Sequence, residues 1–381
     1  MKKYTFRVSE LSEKLARGEI TSAELTEDCI HRIKTSPFGD RFAFLDVDGA
    51  MQAARASDER RARGCALGAL DGIPFAAEDR FCTVRMPTEN NCEMLRGYQP
   101  LYDADAVRRL KDSGAVLIGK LQTKGFLSAD CGPTSERSRL VGDDGLLPFA
   151  LIAETGGASW ICGKSQEIVI CPARDVISRQ GLIACAPSFD RVGILVGSFD
   201  DGKYMMERLL ERIGSAVAPE SVKTVWWGEG GSVDLPISEK TQTAYRILSA
   251  VEAASEMGLY DGIRFGVSAE GDGTARGQMA ETRGRFFSRE EQKLLLLGTV
   301  LLKGEHREKH YLAALKLREA FQRQLEEVFS RFDLLVCPVS EKTACLPAFA
   351  DLSVVSRNGT LWMAPRGRED MLLICAERWE K

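Results

Sequence analysis

The sequence predicts an α/β protein with a mixed central β-sheet flanked by helices on both faces. Three observations carry that expectation. Short runs such as Ile73–Ala77, Ala115–Ile118, Phe149–Ala153 and Ile168–Ile170 are continuously apolar rather than alternating, as strands buried on both sides are. Helical patterns lie between and after these runs, an order that places helices over a sheet. The 381 residues are 44% hydrophobic and 28% charged, apolar enough for a large core and too charged for a membrane-embedded chain. No stretch rich in Pro, Gly or Ser divides the chain and no repeat is visible, so residues 1–381 are read as one domain.

The elements follow in order. Leu11 and Leu15 share a helical face that Gly18 interrupts, and Thr21 with Glu24 forms a capping box opening a second helix. On that helix Leu25, Cys29 and Ile33 make the apolar stripe. A long helix from about Asp48 to Arg63 ends in Arg60-Arg61-Ala62-Arg63, where cations suit the carboxyl end of a helix. Ile73–Ala77 is the first buried strand. A helix over Asp105–Ser113 is closed by Gly114 and leads into the strand at Ala115–Ile118. Phe149–Ala153 and Ile168–Ile170 add two strands. Ser238–Met257 and Arg289–Phe332 are the strongest helical stretches, the second dividing near Gly304, and Asp333–Pro338 is a late strand stopped by proline.

Composition also excludes functions. With 51 basic and 55 acidic residues the net charge is −4, so no overall basic field predicts direct nucleic-acid binding. The amino terminus has no apolar h-region and no run reaches the ~18 apolar residues of a membrane span, which predicts a cytoplasmic protein without a membrane partner. Eleven scattered cysteines without a CxxC pair suit reduced thiols rather than a disulfide framework or a zinc ribbon. His306 and His310 have the i, i+4 spacing of a zinc pair, but Lys303, Arg307 and Lys309 beside them describe a solvated helix. No phosphate-cradling glycine motif occurs, so neither a metal nor another cofactor is expected. Trp226, Trp227 and Trp362 are read as core or interface residues.

Three stretches carry a resemblance. The first is Leu70-Asp71-Gly72-Ile73-Pro74-Phe75-Ala76-Ala77-Glu78-Asp79, continuing through Tyr102–Asp105 to Gly114–Lys120. The second is Glu154-Thr155-Gly156-Gly157-Ala158 with Ser178–Ala184. The third is Asp261-Gly262-Ile263-Arg264-Phe265-Gly266 with Leu297-Gly298-Thr299 and Asp333–Pro338. In order and spacing they resemble the amidase signature family, and within it the A subunits of glutamyl-tRNA(Gln) amidotransferases. The resemblance implies the amidase signature fold. It also implies amide hydrolysis by a serine nucleophile, activated by a neutral lysine through a bridging serine, with a Gly-Gly turn as oxyanion hole.

This chain departs from the implied site at each catalytic position. Glu78 stands where the resemblance implies the lysine, Thr134 where it implies the bridging serine, and Ala158 where it implies the nucleophile. Trp160 replaces the arginine implied two residues further on, and the chain is short between Phe126 and Cys131 and between Ala350 and Leu361. Alanine carries no nucleophilic atom, so the expectation is a degenerate relative whose Thr155-Gly156-Gly157 turn persists for its backbone conformation. It would serve as a binding, scaffolding or regulatory subunit, partnered by amidotransferase-type subunits or by an active homologue. Alternatives remain open. Ser159 could replace the nucleophile with Glu78 acting through Thr134, Glu78 could activate water, or Cys131 or Cys162 could supply a thiolate. A remnant pocket beside Thr155, Gly156, Gly157 and Trp160 could also bind a small amide or amino acid without cleaving it. Glu78 is otherwise expected to pair with a neighbour such as Arg80.

Overall fold

The computed structural model describes residues 5–129, 140–142, 144–157, 167–209, 221–233, 235 and 238–380. Helices α1 (Val8–Ala16), α2 (Ser22–Thr35) and α3 (Val47–Ala62) open the chain. The capping box is formed: the Glu24 N–H donates to Thr21 Oγ1 at 3.1 Å and the Thr21 N–H to Glu24 Oε2 at 3.0 Å. Asp58 of α3 accepts the next two N–H groups, from Ser22 and Ala23, and so ties α3 to the start of α2. Strand β1 (Phe42–Leu45) precedes α3.

Among the described residues the sheet has ten strands in the order β1-β3-β2-β4-β6-β5-β9-β10-β8-β7. Its first half contains β2 (Pro74–Glu78), β3 (Val116–Leu121) and β4 (Phe149–Glu154), mutually parallel with β2 in the middle. All residues of β2 and β4 are buried, which explains their uninterrupted apolar sequence. Phe75 and Phe149, in register across the two strands, stack with ring centroids 5.3 Å apart. Helix α4 (Asp105–Asp112) makes the crossover to β3, and the chain then passes β2 to reach β4 on its other side. That reversal puts a topological switch point at the carboxyl ends of β2 and β4, where α/β sheets leave a crevice.

The other half is mostly antiparallel: β5 (Ile168–Cys171), β6 (Arg191–Val196), β9 (Ser353–Arg357) and β10 (Thr360–Ala364), with β8 (Leu334–Pro338) and β7 (Thr224–Trp226) parallel to each other at the far edge. Flanking helices are α5 (Phe199–Leu209), α6 (Ser238–Met257), α7 (Ala275–Phe286), α8 (Arg289–Leu301), α9 (Ala313–Phe329) and α10 (Glu369–Glu380). The expected break near Gly304 is present, and a π-helical turn over Arg307–Leu312 follows it. No helix of the described residues is long and apolar enough to cross a membrane.

The segment between Ala350 and Leu361, short by the resemblance, is a tight hairpin. Asn358 and Gly359 both have positive φ, 49° and 76°, as a two-residue turn between β9 and β10 requires. Trp226 is half-buried against the core and Trp362 is buried in β10, as expected of structural tryptophans.

Candidate functional site

Glu78 and Glu154 are the last residues of β2 and β4, so the switch point brings the two carboxylates to one end of the sheet. Both are buried. The β2–β4 ladder ends at Ala77 and Leu151, and Glu78 Oε2 accepts the next inward N–H, that of Ala153, at 2.8 Å. Glu78 thus acts as a side-chain continuation of the strand pairing.

Glu154 turns back on its own chain. Its Oε1 accepts the N–H of Thr155 at 3.0 Å and that of Gly157 at 2.6 Å. Gly157 has φ +86°, which an L side chain rarely adopts, so glycine is needed to aim its N–H at this carboxylate. Two backbone donors of the expected oxyanion turn are therefore engaged by an anion the protein supplies itself. Arg191 of β6 stands directly opposite Glu154 in the antiparallel register.

Beside the turn lies a buried charge cluster that the sequence did not reveal. The Arg80 side chain is fully buried and donates to Asp190 Oδ1 at 2.8 Å, Thr155 Oγ1 at 2.9 Å and the Ile183 carbonyl at 3.1 Å. Thr155 Oγ1 donates to Asp190 Oδ1 at 2.5 Å, and the Cys185 and Ala186 N–H groups donate to Asp190 Oδ2. Burial opposes the charge on Arg80, but Asp190, by charge and hydrogen bond, together with the nearby Cys185 and Glu78 holds the guanidinium pKa above its usual value. Among the described residues Arg80 forms its ion pair with Asp190, while Glu78 reaches the Ala153 N–H and acts on Arg80 through its charge alone. Arg80 and Asp190 are 110 residues apart, beyond any local pattern.

At the end of β3 a second buried pair, Lys120 with Asp79, is 3.1 Å apart, and the Lys120 ammonium also donates to Thr88 Oγ1 and the Pro87 carbonyl. Burial pushes the Lys120 pKa down and the Asp79 pKa up, each opposed by the partner's charge. Burial also lifts the Cys185 thiol to about 12, so it supplies no thiolate at neutral pH.

A cleft of about 450 Å³ reaches Asp190 and is lined by Asp175, Ser178, Arg179, Gln180, Leu182 and Ala184. Its guanidinium is committed, Arg179 donating to Asp175 at 2.8 Å and to the Pro187 carbonyl at 2.7 Å. Of the residues expected to act, Glu78, Thr155, Gly156 and Gly157 are thus gathered at one end of the sheet. Thr134, Ala158, Ser159 and Trp160, with Cys131 and Cys162, lie outside the described residues. His306 and His310 are exposed, with ring centroids 5.8 Å apart, and among the described residues no three His, Cys, Asp or Glu converge to hold a metal ion.

The mixed sheet with its strand-end Thr155–Gly157 turn is that of a known class of α/β proteins, the amidases. The Amidase family model matches residues 24–135 and 231–360, and the chain belongs to that family. The A subunit of the glutamyl-tRNA(Gln) amidotransferase from Chloroflexus aggregans is 31% identical over 404 aligned positions, covering 88% of this chain and 82% of the relative. Among solved structures, an amidase superposes with a TM-score of 0.79 at 21% identity, over 98% of this chain and 99% of that one. A second, described as an unexpected vestigial protein complex revealing the origins of an s-triazine catabolic enzyme, gives 0.79 at 19% identity over 98% of each chain.

Proposed function

We propose that this member of the Amidase family no longer hydrolyses amides and acts as a binding or scaffolding subunit. The observation that carries the reading is the Glu154 carboxylate on the N–H groups of Thr155 and Gly157. An oxyanion hole works by donors left open for charge that develops in the transition state. Here two such donors are satisfied in the ground state by a covalently attached anion, whose removal would leave them buried without acceptors. The sequence adds Ala158 at the position of the nucleophile, and Glu78 spends one carboxylate oxygen on the Ala153 N–H. Amidotransferase-type subunits or an active homologue are the partners this reading favours. The relatives are named as subunits, and one structural neighbour is described as part of a vestigial complex.

The test is ammonia release from glutamine, asparagine and simple aliphatic amides by the purified protein. The expected result is no release above buffer, from the native chain and from Ala158→Ser alike, because a restored hydroxyl still lacks the lysine base and two of the turn's backbone donors are already engaged. Turnover that disappears in Glu78→Gln would establish a hydrolase with rearranged chemistry instead. For the partner, co-expression with each amidotransferase subunit of the same cell is expected to yield one co-eluting complex that survives moderate salt. Separate elution of every pair removes the scaffold role.

A further inference from the structure

Helix α8 is apolar on every side. Its consecutive leucines, Leu294-Leu295-Leu296-Leu297, outrun the about 3.6 residues of a helical turn, so one faces each direction. A helix lying on a core needs a single apolar stripe, and one that is apolar all round is expected to be covered on both sides. The inner side is covered. Leu294 and Leu295 pack on the core, and Gly298 lets α8 approach α6, since a Cβ there would come within 2.3 Å of the Ala250 carbonyl and 2.4 Å of Ala254 Cβ. The outer side is bare: Leu296, Leu297, Val300 and Leu302 are between 43% and 65% exposed. Beside it a cleft of about 800 Å³ opens between α6 and α8, with Ala250 on one wall and Leu294 and Leu297 on the other. It shares no lining residue with the cleft at Asp190.

We infer that the outer face of α8 and this cleft form a docking surface for an amphipathic helix of a partner protein, its apolar stripe flanked by carboxylates. The inference rests on the scaffold reading and deepens it by naming the surface that a partner takes.

The flanks of the face choose the partner. Lys293 meets Glu290 at 2.7 Å, Lys309 meets Glu305 at 2.5 Å, and Lys124 and Arg246 in the cleft are engaged within the chain. Arg289 before the leucines, and Lys303 and Arg307 after them, are exposed and have no partner among the described residues. Of the carboxylates over the same stretch, only Glu308 is equally free among the described residues. Unanswered cations thus stand at both ends of an apolar face, about 20 Å apart by the rise of a helix, and carboxylates at the two ends of a partner helix meet them. A second copy of this chain fits worse. An antiparallel twofold that sets Leu296 on Val300 brings the end with Arg289 onto the end with Lys303 and Arg307, and a parallel one sets each end against itself. Cation meets cation in both. A lipid surface is flat and leaves the cleft unfilled, whereas a helix laid in a groove fills it.

The experiment is fluorescence anisotropy of two stapled helical peptides titrated with the full chain. One carries a leucine stripe flanked by glutamates, the other the same stripe flanked by lysines. The glutamate peptide is expected to bind about ten-fold more tightly and to weaken as salt rises. Arg289→Glu combined with Lys303→Glu is expected to reverse that preference, and Leu296→Ser combined with Val300→Ser to weaken both peptides about five-fold, each at an unchanged melting temperature. Equal affinity for the two peptides overturns the proposal, as does a preference that the charge variant leaves in place, or no binding at submillimolar concentration. Two further results overturn it in favour of another occupant: a dimer in sedimentation that Leu296→Ser with Val300→Ser dissolves, or cosedimentation with phosphatidylserine vesicles lost in the same variant. Co-elution with an amidotransferase subunit that survives this variant removes the surface and leaves the scaffold role standing. Separate elution from every such subunit, with the peptide preference intact, removes that role and leaves the surface.

Discussion

The turn at the end of β4 and the cleft between α6 and α8 use charge in opposite ways. At the turn each buried carboxylate is met from within the fold, Glu78 by Ala153, Glu154 by Thr155 and Gly157, and Asp190 by Arg80. In the cleft, Lys124, Arg246, Lys293 and Glu290 stand on walls that open to solvent. Charges taken out of water must find partners inside the protein, and in the first region these carboxylates do. Those kept at the solvent edge cost little and retain much of their hydration.

That contrast can be broken by removing the same kind of group from each side. Arg80→Met strands Asp190 in the core, and the expected loss is about 3–5 kcal/mol of unfolding free energy by urea titration. Adding Asp190→Leu to it should recover much of that, so a single variant within about 0.5 kcal/mol of the native chain would contradict a sealed cluster. Glu154→Ala is expected to cost about 1–3 kcal/mol, since the Thr155 and Gly157 N–H groups lose their acceptor without gaining water. Gly298→Ala, at the helix contact that shapes the cleft, should cost a comparable ~1–3 kcal/mol by overpacking. Arg246→Gln should move stability by no more than about 0.5 kcal/mol, the mark of a surface charge. A larger loss would place Arg246 among the structural charges.

The smallest effect concerns pH. Two backbone N–H groups, of Arg264 and Ile263, hold the Asp261 carboxyl down at about 2, below its usual 3.8. A depressed folded pKa means the unfolded chain takes the proton first, so this contribution is complete above pH 3.8 and is lost as pH falls toward 2. Asp261→Asn should therefore flatten the melting temperature against pH below 3.8, and an unchanged slope would assign the acid sensitivity elsewhere.

Much of the frame was legible because burial writes itself as apolar runs. β2, β3, β4, β5 and β8 were readable, as were α2 with its capping box and the break at Gly304. β6 was not assigned, since Arg191 opens it and Gly193 interrupts it. The β9–β10 hairpin carried its signal in Asn358-Gly359 and went unread beside the shortening implied by the resemblance. In the site, Glu78 and the Thr155–Gly157 turn could be placed together from the family pattern alone. The role of Glu154 could not, because a carboxylate accepting its own turn's N–H groups looks in sequence like any strand-end acid. Nor could the Arg80–Asp190 pair, joined only by folding. The cleft was half written: Glu290, Lys293, Leu294 and Leu297 share a helical face, but nothing local says what stands across from them.

The pairing of β5 with β9 has a consequence for synthesis. Val169 lies against Ser356, so the middle of the sheet cannot close until the chain has been made as far as β9. At about 5–20 residues per second, the roughly 190 intervening residues take on the order of 10–40 s. Over that interval the edge of β5 offers unpaired backbone groups to any neighbouring strand. A nascent chain of this protein is expected to depend on holdase chaperones at the ribosome, and its yield to fall with synthesis temperature faster than the finished fold's stability does.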